Sequence, residues 1–200
     1  MKLVSTPPAG RRTLSRAPAG SRGGFTLLEV MFASAVLAIA ISGAAGAMLS
    51  AMQLDRVNRE RSLALQSARR VIERAQDVEF SELFAAYNTV AGDDPAAMVA
   101  AGSVPGATFS CAGLSTQIGD PDGLAGEIAL PVVLNAGVLE LREDIVNPLL
   151  GMPMDLNMDG VIDALDHSGD YMILPMHVRL AWTGAAGPRT ADLVTILSRR

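Results

Sequence analysis

"RGGFTLLEV", residues 22–30, sets Arg22 and two glycines directly against an apolar run whose fifth residue is an acid, Glu29. From Phe25 to Met52 the run carries that one charge. As a helix rising about 1.5 Å per residue, its first twenty-five residues reach about 37 Å, enough to cross a hydrocarbon core of about 30 Å. A carboxylate in such a segment costs about 2.5 to 3.5 kcal/mol on insertion scales, and less near the interface. An acid kept in this place therefore needs a task and a nearby cation.

Charge is divided along the chain. Of the 200 residues, half are hydrophobic and the net charge is −5, yet no acid occurs before Glu29. Residues 1–24 hold Lys2, Arg11, Arg12, Arg16 and Arg22, which gives a leader of +5 and a remainder of −10. Basic residues flanking an apolar segment stay on the cytoplasmic side, so the chain after the segment is directed outward. So acidic a remainder lacks the clustered Lys and Arg that nucleic-acid binding requires, and no nucleic-acid partner is expected. Cys111 is the sole cysteine, which excludes an intramolecular disulfide and predicts a small buried hydrophobe.

Four regions follow from composition. Residues 1–24 are rich in Pro, Gly, Ser and Arg without apolar periodicity, as in a segment that is disordered or removed. Residues 25–52 form the apolar helix. Residues 53–88 continue it in amphipathic form, with Leu54, Val57, Ala64, Ala68, Val71, Ala75 and Val78 on one stripe. No Pro or Gly occurs between Gly46 and Gly92, so a single helix of some sixty residues is expected, its stripe covered by a partner domain.

Residues 89–200 are loop-rich and β-forming. The stretch 88–126 reads as loop, with a short helix near Ala96–Ala101. "EIALPVVLN" (127–135) and "GVLELREDI" (137–145) read as edge or hairpin strands, Pro131 favouring an edge for the first. "MHVRLAW" (176–182), "TGAAGPRT" (183–190) and "ADLVTILSR" (191–199) read as a closing hairpin. Trp182 falls in a strand and is expected in the core. The fold class is α+β: a long N-terminal helix packed on a small antiparallel sheet.

Gly24, Phe25, Thr26, Leu27, Leu28 and Glu29, preceded by a basic leader and followed by the long apolar helix, resemble the type IV prepilins and type II secretion pseudopilins. The resemblance covers roughly residues 16–87. It implies a pilin-like fold and cleavage between Gly24 and Phe25 by a membrane-embedded prepilin peptidase, whose methyltransferase activity then N-methylates Phe25. In that family's assembly the acid at the position of Glu29 pairs with the terminal amine of a neighbouring subunit and sets axial register. The simpler role for Glu29 is to pair with its own terminus or helix dipole. Implied partners are other pilins or pseudopilins, the inner-membrane assembly platform and membrane lipid. The implied location is the inner membrane, with a cytoplasmic leader and an external C-terminal domain, and then a pilus or pseudopilus. Without a C-terminal cysteine pair, and with a Gly- and Asp-rich middle, the chain looks more like minor pilins of the PilV type or the pseudopilin I group than like a major pilin.

Other readings compete. An ordinary secreted or membrane-anchored protein, calcium-stabilised and unrelated to pilins, is the alternative, for which Ala45-Gly46-Ala47 would serve as a signal-peptidase site releasing a chain that begins at Met48. An enzyme is not expected, because His167 and His177 belong to no H-E-x-x-H, and neither a nucleophile elbow nor a phosphate loop is present.

"DLNMDGVIDALD", residues 155–166, resembles an EF-hand loop and, more closely, a dockerin-type calcium repeat. Asp155, Asn157 and Asp159 take positions 1, 3 and 5, Gly160 the sharp turn at 6, the Val161 carbonyl position 7, Asp163 position 9 and Asp166 the closing position 12. One Ca2+ ion is the expected cofactor. Pro148 and Pro153 leave no room for an entering helix, so the loop would stand alone.

Overall fold

The computed structural model describes residues 24–96 and 106–199, so residues 1–23 of the leader and positions 97–101 of the expected short helix lie outside the described residues. The chain divides after Ala47 into two units, each treated by itself.

In the first unit, helix α1 (Leu27–Asp77) begins with Thr26 as its cap, the Thr26 Oγ1 accepting the Glu29 N–H at 3.2 Å. This is half of a T-x-x-E capping box, which satisfies one of the free donors of the first turn. Every residue of this unit's part of α1 is exposed.

In the second unit, α1 buries Ala64, Ser67, Ala68, Val71 and Ala75, the expected stripe, whereas Leu54 lies exposed and Val57 and Val78 are half-buried. The helix does not run unbroken to Tyr87. It stops at Asp77, Glu79 turns extended (φ −57°, ψ 130°), and a 3-10 turn (Phe80–Glu82) and short α2 (Leu83–Tyr87) follow. Tertiary contacts outweigh helix propensity here. The Tyr171 hydroxyl donates to the Phe80 carbonyl and accepts from the Phe84 N–H, and the rings of Phe80 and Tyr171 lie 4.9 Å apart. Redirecting the chain at residue 79 brings Leu83, Phe84, Ala86 and Tyr87 into the core.

Five strands form one antiparallel sheet: β1 (Thr108–Phe109), β2 (Ser115–Thr116), β3 (Gly126–Ala129), β6 (Ile173–Gly184) and β7 (Gly187–Ser198). Strands β3 and β2 pair with successive parts of one side of β6, β1 flanks β3, and β7 pairs with the other side of β6 over twelve residues. Thus the presumed loop 88–126 contains two strands, each too short to show a period of two. "EIALPVVLN" divides into β3 and β4 (Val132–Asn135), which pairs only with β5 (Val138–Leu141). β3 is interior between β1 and β6 rather than an edge, because Pro131 falls just after it, at the point where the chain leaves the sheet.

The closing hairpin is present and longer than expected. Its turn contracts to Ala185–Ala186, and Gly187 at φ +103° supplies a conformation that side chains disfavour. Glu60 on α1 fixes this tip, accepting the Ala185 N–H at 3.1 Å and the Trp182 indole N–H at 3.4 Å.

Alternate residues of β6, Leu174, Met176, Val178, Leu180 and Trp182, are almost wholly buried in one cluster with the α1 stripe. Fully burying such side chains is worth about 1.5 to 3 kcal/mol each. The stripe opposite is mostly Ala and Ser, which lets a helix backbone approach a sheet carrying large residues. Trp182 and Cys111 are buried as expected, and the Cys111 Sγ adds a 2.9 Å contact to the Ser67 Oγ.

Candidate functional site: the N-terminal motif and the acidic loop

Gly24 and Phe25 precede the first turn of α1 outside any helix or strand, and Phe25 is 80% exposed. Among the described residues nothing encloses this junction, so they leave it open to a protease or to a neighbouring molecule. Glu29 lies in the first turn, where a carboxylate complements the partial positive charge of the helix N-terminus. Thr26 was not singled out in the sequence, although its spacing to Glu29 is the capping-box signal.

From Leu27 to Leu54 the large apolar side chains, among them Leu28, Phe32, Val36, Ile39 and Leu49, are all exposed, and the segment is long and apolar enough to cross a membrane. A surface of that kind is stable only in lipid or against other apolar helices. A Cβ on Gly43 or Gly46 would meet nothing within the chain. These small residues leave room for close approach by another helix.

The expected calcium ligands fall into three hydrogen-bonded groups. The Asp155 carboxylate accepts the N–H groups of Met158 (2.6 Å) and Gly160 (2.8 Å), the Asn157 side-chain oxygen accepts that of Asp159, and Asp159 accepts that of Val161. Gly160 has φ +89°, the sharp turn expected at position 6. Asp163 accepts the Leu165 N–H and faces His167 Nε2 at 3.1 Å. Asp166 turns to the N–H groups of Leu141 and Ser168. Backbone donors and one histidine therefore relieve the mutual repulsion of these carboxylates.

Glu143, read only as part of a strand, is the hub of this region. It is fully buried, and its Oε1 accepts the N–H groups of Leu156 (2.6 Å) and Asn157 (3.2 Å). His167 Nε2 lies 3.7 Å from its Oε2, and His167 Nδ1 lies 3.1 Å from Asp170. Burial disfavours the imidazolium, but the hydrogen bonds to Asp163 and Asp170 and the Glu143 charge outweigh it and raise the His167 pKa. Glu143, Asp163 and His167 bring one ligand-type atom each within 4.8 Å of one another, a cluster that this internal ion pairing accounts for.

One comparison with known proteins bears on the junction. The chain carries the prokaryotic N-terminal methylation motif. The match spans residues 20–45, so it includes Gly24, Phe25 and Glu29 and ends within the exposed apolar part of α1. No curated protein and no solved structure matches the chain. The motif is the leader signature of type IV pilins and pseudopilins, and it indicates a structural subunit rather than an enzyme. It implies processing by prepilin peptidase and assembly with other pilins. Together with the apolar helix, the motif points to membrane anchoring and a pilus or pseudopilus.

Proposed function

We propose that this chain is a minor pilin or pseudopilin, cut between Gly24 and Phe25, N-methylated on Phe25 and incorporated into a type IV pilus or type II secretion pseudopilus. The observation that carries this reading is the methylation motif lying across an open junction and leading directly into a fully exposed apolar helix. After cleavage the new Phe25 amine is cationic, and Glu29 lies one helical turn away. In isolation Glu29 complements its own helix terminus. In an assembly it pairs with the Phe25 amine of the adjacent subunit, which relieves the cost of an acid in lipid and fixes the axial step between subunits. Transfer from membrane to filament then exchanges lipid for helix contacts as Glu29 passes from its own helix terminus to the neighbouring amine.

Two variants test the reading. Gly24→Leu puts a bulky side chain at the scissile junction and leaves full-length protein in the membrane; normal processing would contradict a prepilin. Glu29→Leu inserts in the membrane but crosslinks less to other pilins. Crosslinking equal to wild type would reduce Glu29 to a local role.

A second reading concerns the loop Asp155–Asp166. The Asp155–Gly160 hydrogen bond and the positive φ of Gly160 support a preformed calcium turn, with Asp155, Asn157 and Asp159 as the side-chain ligands. The positions of Asp163 and Asp166, held by His167 and the Leu141 N–H, fit a complete twelve-residue set less well. Binding at about 10⁻⁴ to 10⁻³ M is expected, as in extracellular modules. Calorimetry with the detergent-solubilised chain tests it, Asp155→Ala abolishing the heat; absence of any calcium heat would remove the site.

A further inference from the structure

Strand β7 is the one long strand that pairs on a single side. Its ladder to β6 closes at Gly184 and Gly187 around a two-residue turn, so hydrogen-bonded pairs alternate from there. That alternation directs the N–H and C=O groups of Thr190, Asp192, Val194, Ile196 and Ser198 away from β6. Pro188, which has no N–H to offer, falls in the same outward set. Among the described residues, none of these five backbones has a partner outside the ladder.

An open edge of this length is ordinarily blunted by charge, proline or a covering segment. Here Pro188 and Asp192 blunt only part of it, and two cavities lie along it, each bounded by β7 and by the chain from α1 onward. One, of about 450 Å³, is lined by Arg61, Leu65, Arg189 and Asp192. The other, of about 550 Å³, is lined by Ala75, Val78, Ile196 and Arg199. The Arg189 Nε is buried without a hydrogen-bond partner. Among the described residues no carboxylate forms an ion pair with Arg61, Arg189 or Arg199, and Asp192 is engaged by His177 Nε2 at 2.9 Å. The gutter is thus basic at the end that carries Arg61 and Arg189, whereas Glu79 offsets Arg199 at the other, and the apolar side chains of Leu65, Val78 and Ile196 lie along it.

We propose that the edge of β7 and this gutter take up an extended segment of a neighbouring subunit, about nine residues long, acidic at the end that meets Arg61 and Arg189 and apolar along the rest. Backbone bonds to the five outward residues give the segment its affinity, and alternate side chains enter the two cavities to give specificity. Its terminal carboxylate pairs with Arg61 and Arg189. Only the identity of the donor as an assembly subunit rests on the pilin-type reading; the surface itself does not.

The test uses the full chain in detergent and a capped nine-residue peptide that alternates valine with threonine and carries Asp at its first position and Glu at its last. On binding, amide exchange at Thr190, Asp192, Val194, Ile196 and Ser198 slows by about tenfold or more, while Ala191, Leu193 and Thr195, already in the ladder, change little. Val194→Pro deletes one outward N–H, spares the β6 ladder and abolishes the protection; Thr190→Pro serves if that variant does not fold. Arg189→Glu, or a peptide with Lys at both ends, weakens binding by about tenfold or more. No protection of the outward amides, or equal binding by the proline variant or the lysine peptide, overturns the proposal. Leader processing, read separately from the mass of the N-terminus, is unaffected by either result.

Discussion

Glu143→Ala should markedly destabilise the unit Met48–Arg200. The Glu143 carboxylate is fully buried and accepts three backbone N–H groups of the loop 155–166, those of Leu156 at 2.6 Å, Asn157 at 3.2 Å and Asp163 at 3.4 Å. Alanine leaves these donors without an acceptor, at about 1 to 3 kcal/mol for each of the two shorter bonds, and strips His167 of a neighbouring negative charge. Removing a buried carboxylate also recovers part of its desolvation cost, which brings the net loss to about 3 kcal/mol. For a domain of this size each kcal/mol moves the thermal midpoint by about 2 to 4 °C, so a drop of order 10 °C is expected. Glu143→Gln keeps an oxygen for the Leu156 and Asn157 N–H groups and loses the charge and the long bond from the Asp163 N–H, so its drop should be about a third as large. Trp182, the single tryptophan and almost fully buried, gives the fluorescence signal for thermal unfolding. An alanine variant melting within about 2 °C of wild type, or a glutamine variant melting as low as alanine, would refute the role of Glu143 as the loop's anchor.

Burial raises the pKa of both tyrosines, Tyr87 and Tyr171, against the smaller opposing effects of Arg74 on the first and of backbone hydrogen bonds on the second. Their stabilisation is complete below the unfolded value of about 10 and is lost as pH rises through the folded values. Phenolate absorbance, which reports these two residues alone, should appear at higher pH in the native chain than in denaturant; coincident curves would contradict their burial. Glu60→Ala removes the acceptor for Ala185 N–H and Trp182 Nε1–H, and should cost about 1 to 2 kcal/mol and speed amide exchange at the hairpin tip. Unchanged exchange at Ala185 would show that the tip is held by the strands alone.

How far the sequence carried depended on the range of the interactions involved. The apolar run, the N-terminal methylation motif and the stripe from Ala64 to Ala75 are local patterns, and each was legible. So was the closing hairpin, although Gly184 and Gly187 allowed a tighter turn than its Gly- and Pro-containing connection implied. The helix break at Glu79 was not legible, because neither Gly nor Pro marks it and its cause, Tyr171, lies about ninety residues away. Strands β1 and β2 are only two residues each and owe their geometry to β3 and β6. At the acidic loop, the Asp and Asn spacing correctly placed a turn at Gly160. Glu143 escaped notice because its partners are backbone N–H groups thirteen, fourteen and twenty residues away, which leave no residue-type pattern.

The pilin-type reading depends on what happens at the junction of Gly24 and Phe25. Intact-mass and N-terminal fragment analysis of the chain, purified from membranes that contain its own processing enzymes, tests this most directly. The account predicts a mature protein that begins at Phe25 with a methyl group on its amine, and the same chain uncut when Gly24 is replaced by Leu. A mature terminus at Met48, or a wild-type chain still carrying Met1 and its basic leader in those membranes, would contradict it.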